Sequence, residues 1–147
     1  MGQLDARRAA ERADRDRRAV LAFFTAFASA RFEAAREKTA PGFTWFGKAI
    51  NAADWAGDKL KRYVADAALT AQTAREVPAD IVDRWVRADA ERLCDGALDA
   101  EDSLVLVDID RGGASSTCGV VVTRDARVRR VFDPEALRAA LANASPN

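Results

Sequence analysis

The chain has 147 residues and a balanced charge, and these two properties exclude several classes of protein. Hydrophobic residues make up 49% and charged residues 31% of the chain, which is typical of a folded globular protein and argues against intrinsic disorder. The 23 basic and 23 acidic residues cancel, so no global field would recruit nucleic acid or an anionic membrane. The N-terminus is charged and no apolar run reaches the roughly 18 residues that a membrane helix needs. We therefore expect a cytoplasmic protein without a membrane segment.

The first predicted helix covers residues 3–37 and has two unlike halves. Its second half carries apolar residues at i, i+3, i+4 and i+7, a stripe that packs on a core. Its first half is almost entirely charge and alanine, with acids and bases paired at i, i+4 spacing. We therefore predict a charged segment over residues 1–18 that projects beyond the core. The apolar stripe consists of Val20, Phe23, Phe24 and Phe27.

Two further helices are predicted in the first two thirds of the chain. Residues 39–42 contain Pro and Gly and interrupt the helical pattern, and an aromatic cluster follows them. A second helix is predicted from about residue 47 to residue 75. A third begins at Pro78, which suits the first turn of a helix, and ends near Gly96. Residues 1–97 are thus predicted to be helical.

The remaining residues, 98–147, predict a β-meander closed by a helix. The apolar start of the first strand predicts burial on both of its faces. Asp133 and Pro134 are typical of the first positions of a helix, so a short helix should follow the last strand. The three strands are predicted over residues 104–109, 118–123 and 127–132.

These elements predict a single α+β domain over residues 1–147. About three N-terminal helices would pack on a three-stranded antiparallel meander, and the final short helix would cover the sheet. Cys94 and Cys118 lie on different predicted elements, and we expect them to be buried thiols without a disulfide.

The strongest candidate for chemistry is the segment in which Asp108 and Asp110 are followed by a Gly-rich turn. Carboxylates at i and i+2 project to one side of a strand and could bind Mg²⁺, while turn amides could hold an anion. The segment resembles the first hairpin of the sugar-kinase and actin superfamily, the first hairpin of RNase H-like nucleases and the Asp-x-Asp loop of haloacid-dehalogenase-type phosphatases. The resemblance implies phosphate or metal binding. The alternative is an ordinary hairpin whose turn needs Gly, Asp and Ser.

Three groups of residues are candidates for contact with a partner. Arginines on one face of the first helix could follow a phosphate backbone or bind a protein, although interleaved acids favour a solvated face. Two aromatic residues could form a core anchor or a binding hot spot. Arginines around the second hairpin could bind an acidic partner or protect an edge strand. The residues are Arg8, Arg12 and Arg15, then Trp45 and Phe46, then Arg127 and Arg129.

The chain contains no histidine, which argues against general acid–base catalysis at neutral pH. We assign no catalytic residue beyond the candidates Asp108 and Asp110, no metal site and no cofactor. The sequence favours a non-catalytic protein-interaction module: an adaptor, an inhibitor such as a phage-encoded inhibitor of a host system, an immunity-type protein or an assembly subunit. The partner would be another protein, with a homo-oligomer formed through the long N-terminal helix. The alternatives are a small metal-dependent phosphate-processing enzyme and a nucleic-acid-binding protein that uses the N-terminal arginines.

Overall fold

The computed structural model describes residues 2–144, which form a six-stranded sheet with helices on both faces. Its α+β class and its long N-terminal helix agree with the sequence-based prediction. Within the part of the chain that the structure describes, none of the helices has both the length and the apolar character to span a bilayer.

The helices differ greatly in length. Between two of them, a π-helical turn (Val82–Val86) and a 3₁₀ turn (Arg87–Asp89) continue the chain. The helices are α1 (Gln3–Ala28), α2 (Phe32–Glu37), α3 (Ala52–Ala56), α4 (Asp58–Ala67), α5 (Ala79–Ile81), α6 (Ala90–Leu93) and α7 (Glu135–Ala144).

The strands form a sheet in the order β2-β1-β6-β5-β4-β3. All neighbours are antiparallel except β1 and β6, which run parallel and pair Thr39 with Val128 and Trp45 with Val131. The strands are β1 (Thr39–Trp45), β2 (Lys48–Ala49), β3 (Leu69–Glu76), β4 (Ser103–Arg111), β5 (Ala114–Val122) and β6 (Val128–Phe132).

The sheet separates two hydrophobic cores. On one face, Val105, Val107 and Ile109 of β4 belong to the same core as the apolar stripe of α1. On the other face, Leu104 and Leu106 belong to a core with the π-helical turn and α7. Alternate residues of β4 therefore face opposite cores, which confirms the predicted burial of this strand on both sides.

The prediction of a purely helical segment over residues 1–97 was wrong. Strands β1, β2 and β3 all lie within it, so the three-stranded meander formed by β4, β5 and β6 is only the central part of a larger sheet. The predicted helix over residues 47–75 ends at Ala68, which takes a left-handed conformation with a φ of 46°. The next residues extend and pair with β4 from Leu69 to Glu76.

Strand β6 is not an edge strand, because β1 covers its outer side. The arginines of its sequence therefore do not protect a free edge as the pattern suggested. The predicted helix over residues 3–37 is also broken, since Ala30 has a φ of 60° and separates α1 from α2. The final helix begins as predicted: a carboxylate oxygen of Asp133 accepts a hydrogen bond from the backbone N–H of Glu135 at 3.0 Å.

Candidate ligand-binding site

A cavity of about 430 Å³ opens between the β1–β2 hairpin, α3, α4 and the last residue of β4. This volume lies within the range of small-molecule sites, which is roughly 300–1,000 Å³. Most of the wall is aromatic and aliphatic, and charged side chains stand around it. The lining residues are Trp45, Phe46, Lys48, Ala49, Ile50, Asp54, Lys59, Leu60, Tyr63 and Arg111.

The β1–β2 hairpin forms one wall through an unusual turn. Trp45 pairs with Lys48, so Phe46 and Gly47 are the two turn residues. Both have positive φ, 50° and 83°, as a type I′ turn requires. Such turns favour Asn or Gly at the first position, and a bulky residue there costs about 1–2 kcal/mol. The turn is held by a 2.8 Å hydrogen bond from the backbone N–H of Phe46 to the carbonyl of Val131.

Aromatic contacts fix the inner wall of the cavity. The Trp45 ring stacks on Phe27 of α1 with centroids 4.7 Å apart, and it packs edge-on against Phe46 at 5.1 Å. Its indole N–H donates to the Tyr63 hydroxyl oxygen at 3.3 Å. That hydroxyl therefore accepts from Trp45 and keeps its own proton available as a donor at the cavity.

Arg111 is the half-buried cation of the site. It follows Val105, Val107 and Ile109 on the same face of β4, so it takes the position where the apolar row reaches the cavity. Its guanidinium carbon lies 5.6 Å from the centroid of the Phe46 ring. Its Nε atom is buried and has no hydrogen-bond partner among the described residues.

The thiol of Cys118 is a neighbour of Arg111, and it is not an anion. Burial raises the pKa of Cys118 to about 11, and Arg111 only partly opposes this effect. The thiol is therefore protonated at neutral pH and cannot neutralise the guanidinium. Cys118 and Cys94 are both buried and free, as the sequence predicted, and burial raises the pKa of Cys94 to about 12.

Two of the predicted partner-binding arginines of α1 surround a buried acid. Asp16 is 0% exposed; Arg12 Nε lies 3.4 Å from its carboxylate and Arg15 Nη2 lies 3.2 Å from it. The Ser103 hydroxyl donates to the same carboxylate at 2.8 Å. Arg15 also donates to the Arg124 carbonyl at 2.7 Å. These contacts hold α1 against the sheet from Arg12 onward.

The segment that was predicted to project is therefore shorter than residues 1–18. Residues 2–11 are exposed, and they include Arg8. Three of the i, i+4 pairs that the spacing predicts in this half of the helix form: Arg7 with Glu11 at 3.4 Å, Arg12 with Asp16 at 3.4 Å, and Asp14 with Arg18.

Glu76, at the end of β3, lies close to the Asp16 cluster. One of its carboxylate oxygens is buried without a partner among the described residues. Burial raises the pKa of Glu76, and the charge of Asp16 raises it further, while Arg12 and Arg17 oppose this. No sequence pattern indicated this contact, because Glu76 was predicted to follow a helix.

Asp108 is used as a cross-strand acceptor on the sheet. Its carboxylate accepts hydrogen bonds from Thr73 at 2.7 Å, Arg75 at 2.6 Å and Thr117 at 3.1 Å. The hydrogen bond from Thr73 is the main cause that lowers its pKa, with contributions from Arg75 and Thr117. Asp110 accepts from the backbone N–H of Gly113 at 2.8 Å, as an acid in a turn does.

No group of three His, Cys, Asp or Glu side chains that could hold a metal ion occurs among residues 2–144. Both candidate acids, Asp108 and Asp110, have protein partners, and the hairpin explanation of this segment accounts for each of these contacts.

The two predicted partner-binding arginines of the second hairpin also have acidic partners. Arg129 contacts Asp102 at 3.1 Å and Asp99 at 2.8 Å, and Asp102 is buried. Arg127 contacts Asp125 at 3.1 Å and reaches the carbonyl of Glu37 at 3.2 Å. Both arginines tie the hairpin to neighbouring segments of the chain.

Trp45 and Phe46 were predicted as candidate partner-binding residues, and both line the cavity. Trp45 is 8% exposed and belongs to the core, whereas Phe46 is half-buried at the opening. The aromatic cluster lies near Lys48 and Lys59 in the sequence, but Leu60 and Tyr63 were expected only to belong to the predicted helix over residues 47–75. A sequence signal for the cavity was present in Arg111, a cation at a position where the alternation of β4 requires an apolar residue.

Comparison with known proteins does not assign this chain to a family. No protein-family model matches it, and no curated protein is similar to it. Among solved structures, it is similar to an NTF2-like protein of unknown function from Cytophaga hutchinsonii, at 16% identity and a TM-score of 0.39, over 82% of this chain and 91% of that one. A protein from Xanthomonas campestris pv. campestris that is proposed to be a polyketide cyclase has 16% identity and a TM-score of 0.44, over 90% and 98%.

A third similar structure is the orange carotenoid protein of Anabaena (Nostoc) with canthaxanthin bound. Its identity is 11% and its TM-score 0.46, and the match covers 85% of this chain but only 38% of that one. These similarities are distant, and none of them indicates a function for this chain.

Proposed function

We propose that this chain is a non-catalytic binding protein that holds a small, mainly apolar molecule in the cavity beside Trp45. One observation carries the proposal: a cavity of about 430 Å³ with a mainly aromatic and aliphatic wall opens at the protein surface. Sites of this kind combine a hydrophobic lining with a few polar groups that orient the ligand. Here Tyr63 and Arg111 are those polar groups.

The strained turn at Phe46 supports the same proposal. A residue in a sparsely populated conformation persists when its surroundings hold it there, and such residues cluster at ligand sites. Phe46 has a φ of 50° at a turn position where Asn or Gly is energetically preferred. Its ring covers one side of the cavity opening, which gives a reason for a bulky residue in this turn.

The test is a titration with an uncharged aromatic probe, naphthalene-2-carboxamide, followed by the indole N–H signals in ¹H–¹⁵N NMR spectra. Trp45 lines the cavity and Trp85 does not, so the probe should shift the Trp45 signal saturably and leave the Trp85 signal in place. Leu60→Trp should fill the cavity and remove binding. Asp66→Trp, on an exposed position of the same helix, is the matched control. Binding that is equal in wild type and Leu60→Trp would refute the proposal.

A protein-interaction module is the second candidate function, and two exposed apolar side chains favour it. Leu4, on the exposed half of α1, is 59% exposed, and Trp85, on the π-helical turn, is 52% exposed. Trp is a common residue at the centre of protein interfaces. The partner would be a second copy of this chain, bound through the N-terminal half of α1, or another protein in the cytoplasm, where thiols such as Cys94 stay reduced.

Light scattering over a range of concentrations tests self-association. A dimer in the wild type that is lost on combining Leu4→Ala with Trp85→Ala would support the second candidate. A protein that stays monomeric at every concentration tested would exclude self-association, and the partner would then have to be another protein.

A further inference from the structure

The charges around the cavity are unbalanced, and this imbalance indicates the chemical class of its ligand. Three cationic side chains line the cavity, Lys48, Lys59 and Arg111, against the single acid Asp54. None of the three cations forms an ion pair with another residue that the structure describes within 4.0 Å. The cavity therefore has a formal excess of two positive charges, three minus one.

Asp54 is already engaged in the helix start of α3. Its carboxylate oxygen Oδ2 accepts from the backbone N–H of Asn51 at 3.2 Å, and its own N–H donates to the Asn51 side chain at 2.8 Å. This reciprocal arrangement is a capping box, which fixes the Asp54 side chain against its own helix. The acid thus stabilises α3, and the cations of the cavity have no counter-ion within residues 2–144.

Arg111 contrasts with two half-buried arginines that are paired with acids; a further one, Arg130, has no such pair among the described residues and donates to the Ala97 carbonyl. Arg129, at 29% side-chain exposure, contacts Asp99 and Asp102, and Arg12, at 32%, contacts Asp16. Arg111 is also half-buried, yet its guanidinium faces the Phe46 ring and the protonated Cys118 thiol. Burying a cation without an anion is costly, so a counter-ion is expected from outside the chain.

We propose that the cavity selects amphipathic anions, with one acidic group bound to Arg111 and an apolar body lying between Phe46, Leu60 and Tyr63. The inference rests on the proposed binding function and adds the charge of the ligand to it. A guanidinium binds a carboxylate through two parallel N–H donors, and the Tyr63 hydroxyl proton supplies a further donor at the wall. The largely apolar lining favours a ligand with a single acidic group over a polyphosphate or a nucleic acid.

The experiment compares two probes of nearly equal size, naphthalene-2-carboxylate and naphthalene-2-carboxamide, by titration calorimetry. The wild type should bind the carboxylate at least ~10-fold more tightly, because hydrogen bonds to a charged partner are the stronger ones. Arg111→Gln should remove this preference and keep binding of the carboxamide. Arg62→Gln, an exposed position on the same helix as Leu60, should keep the wild-type preference.

The outcomes separate the two proposals. Equal affinities for both probes in the wild type, or an undiminished preference in Arg111→Gln, would overturn the selection of anions while the binding function stands. Absence of binding for both probes would refute the binding function itself. A second measurement uses only the wild type, so it does not depend on the folding of a variant. In NMR spectra, the guanidinium N–H signals of Arg111 should shift when the carboxylate is added and stay in place when the carboxamide is added. A shift of equal size with both probes would also overturn the inference.

Discussion

The two ends of strand β4 differ in whether a charged side chain there has a partner of opposite charge. At its first residue, the Ser103 hydroxyl bonds to Asp16, a buried carboxylate that two arginines also contact. At its last residue, Arg111 lies half-buried without an acid partner among the described residues. The same element therefore begins at a buried acid with arginine partners and ends at a cation without an acid partner in the described part of the chain. The buried acid with its arginine partners holds α1 to the sheet, whereas Arg111 is the cation that we propose binds the acidic group of a ligand.

The largest effect on stability is expected at Asp16, which lies beside the first residue of β4. Asp16→Ala should lower the free energy of unfolding by about 3 kcal/mol, because it leaves partly buried arginines without their anion. Urea denaturation measures this loss. Asp14→Ala on the same helix is the control; its side chain is 44% exposed, and its pairs with Arg17 and Arg18 are worth under ~1 kcal/mol. Similar losses in both variants would contradict a special role for the buried cluster.

Removing the charge of Arg111, at the last residue of β4, should raise the free energy of unfolding. Arg111→Met keeps much of the side-chain volume and removes a cation that has no acid partner among the described residues, so the free energy of unfolding should rise by up to ~1 kcal/mol. The same variant should lose its preference for the carboxylate probe. A gain in stability combined with a loss of binding is typical of a residue kept for function. A loss of more than about 2 kcal/mol would instead identify Arg111 as a structural residue.

The smallest effect concerns Glu76, which lies beside the paired end but has a partnerless oxygen. Because burial raises its pKa above the usual 4.5, the folded protein binds a proton that the unfolded chain has already lost. The stability from this group is complete below pH 4.5 and is lost as the pH rises through the folded pKa. At neutral pH, Glu76→Gln should therefore be more stable than the wild type by under ~1 kcal/mol.

Urea denaturation of Glu76→Gln and wild type across the pH range checks the sign. The two proteins should be nearly equal in acid and diverge as the pH rises. A variant that is less stable than the wild type at neutral pH would mean that the ionised carboxylate is stabilised by its arginine neighbours.

The sequence predicted β4, β5, β6 and α7 because each element is locally consistent. Valine-rich alternation marks the strands, and Asp133 with Pro134 marks the start of α7. Strand β3 was missed because Ala, Gln, Arg and Glu favour helices, and it extends only because β4 offers a partner along its whole length.

The cavity was missed for a related reason. It joins the turn at Phe46, the helix carrying Tyr63 and the end of β4, which are distant in sequence. No local sequence pattern predicts that these three segments lie next to one another in the fold. The single-residue signal at Arg111 becomes informative only once the neighbours of its strand face are known.

The parallel pairing of β1 with β6 also constrains how the protein is made. Thr39 pairs with Val128, which is synthesised 89 residues later. The edge of β1 that pairs with β6 therefore stays unpaired until most of the chain has left the ribosome. Contacts this remote in sequence slow folding, because a long loop must close before they form. An aromatic strand exposed during that interval is a site where newly synthesised copies can aggregate. Brief shielding of β1 during synthesis should therefore raise the yield of native protein more than any treatment applied after release.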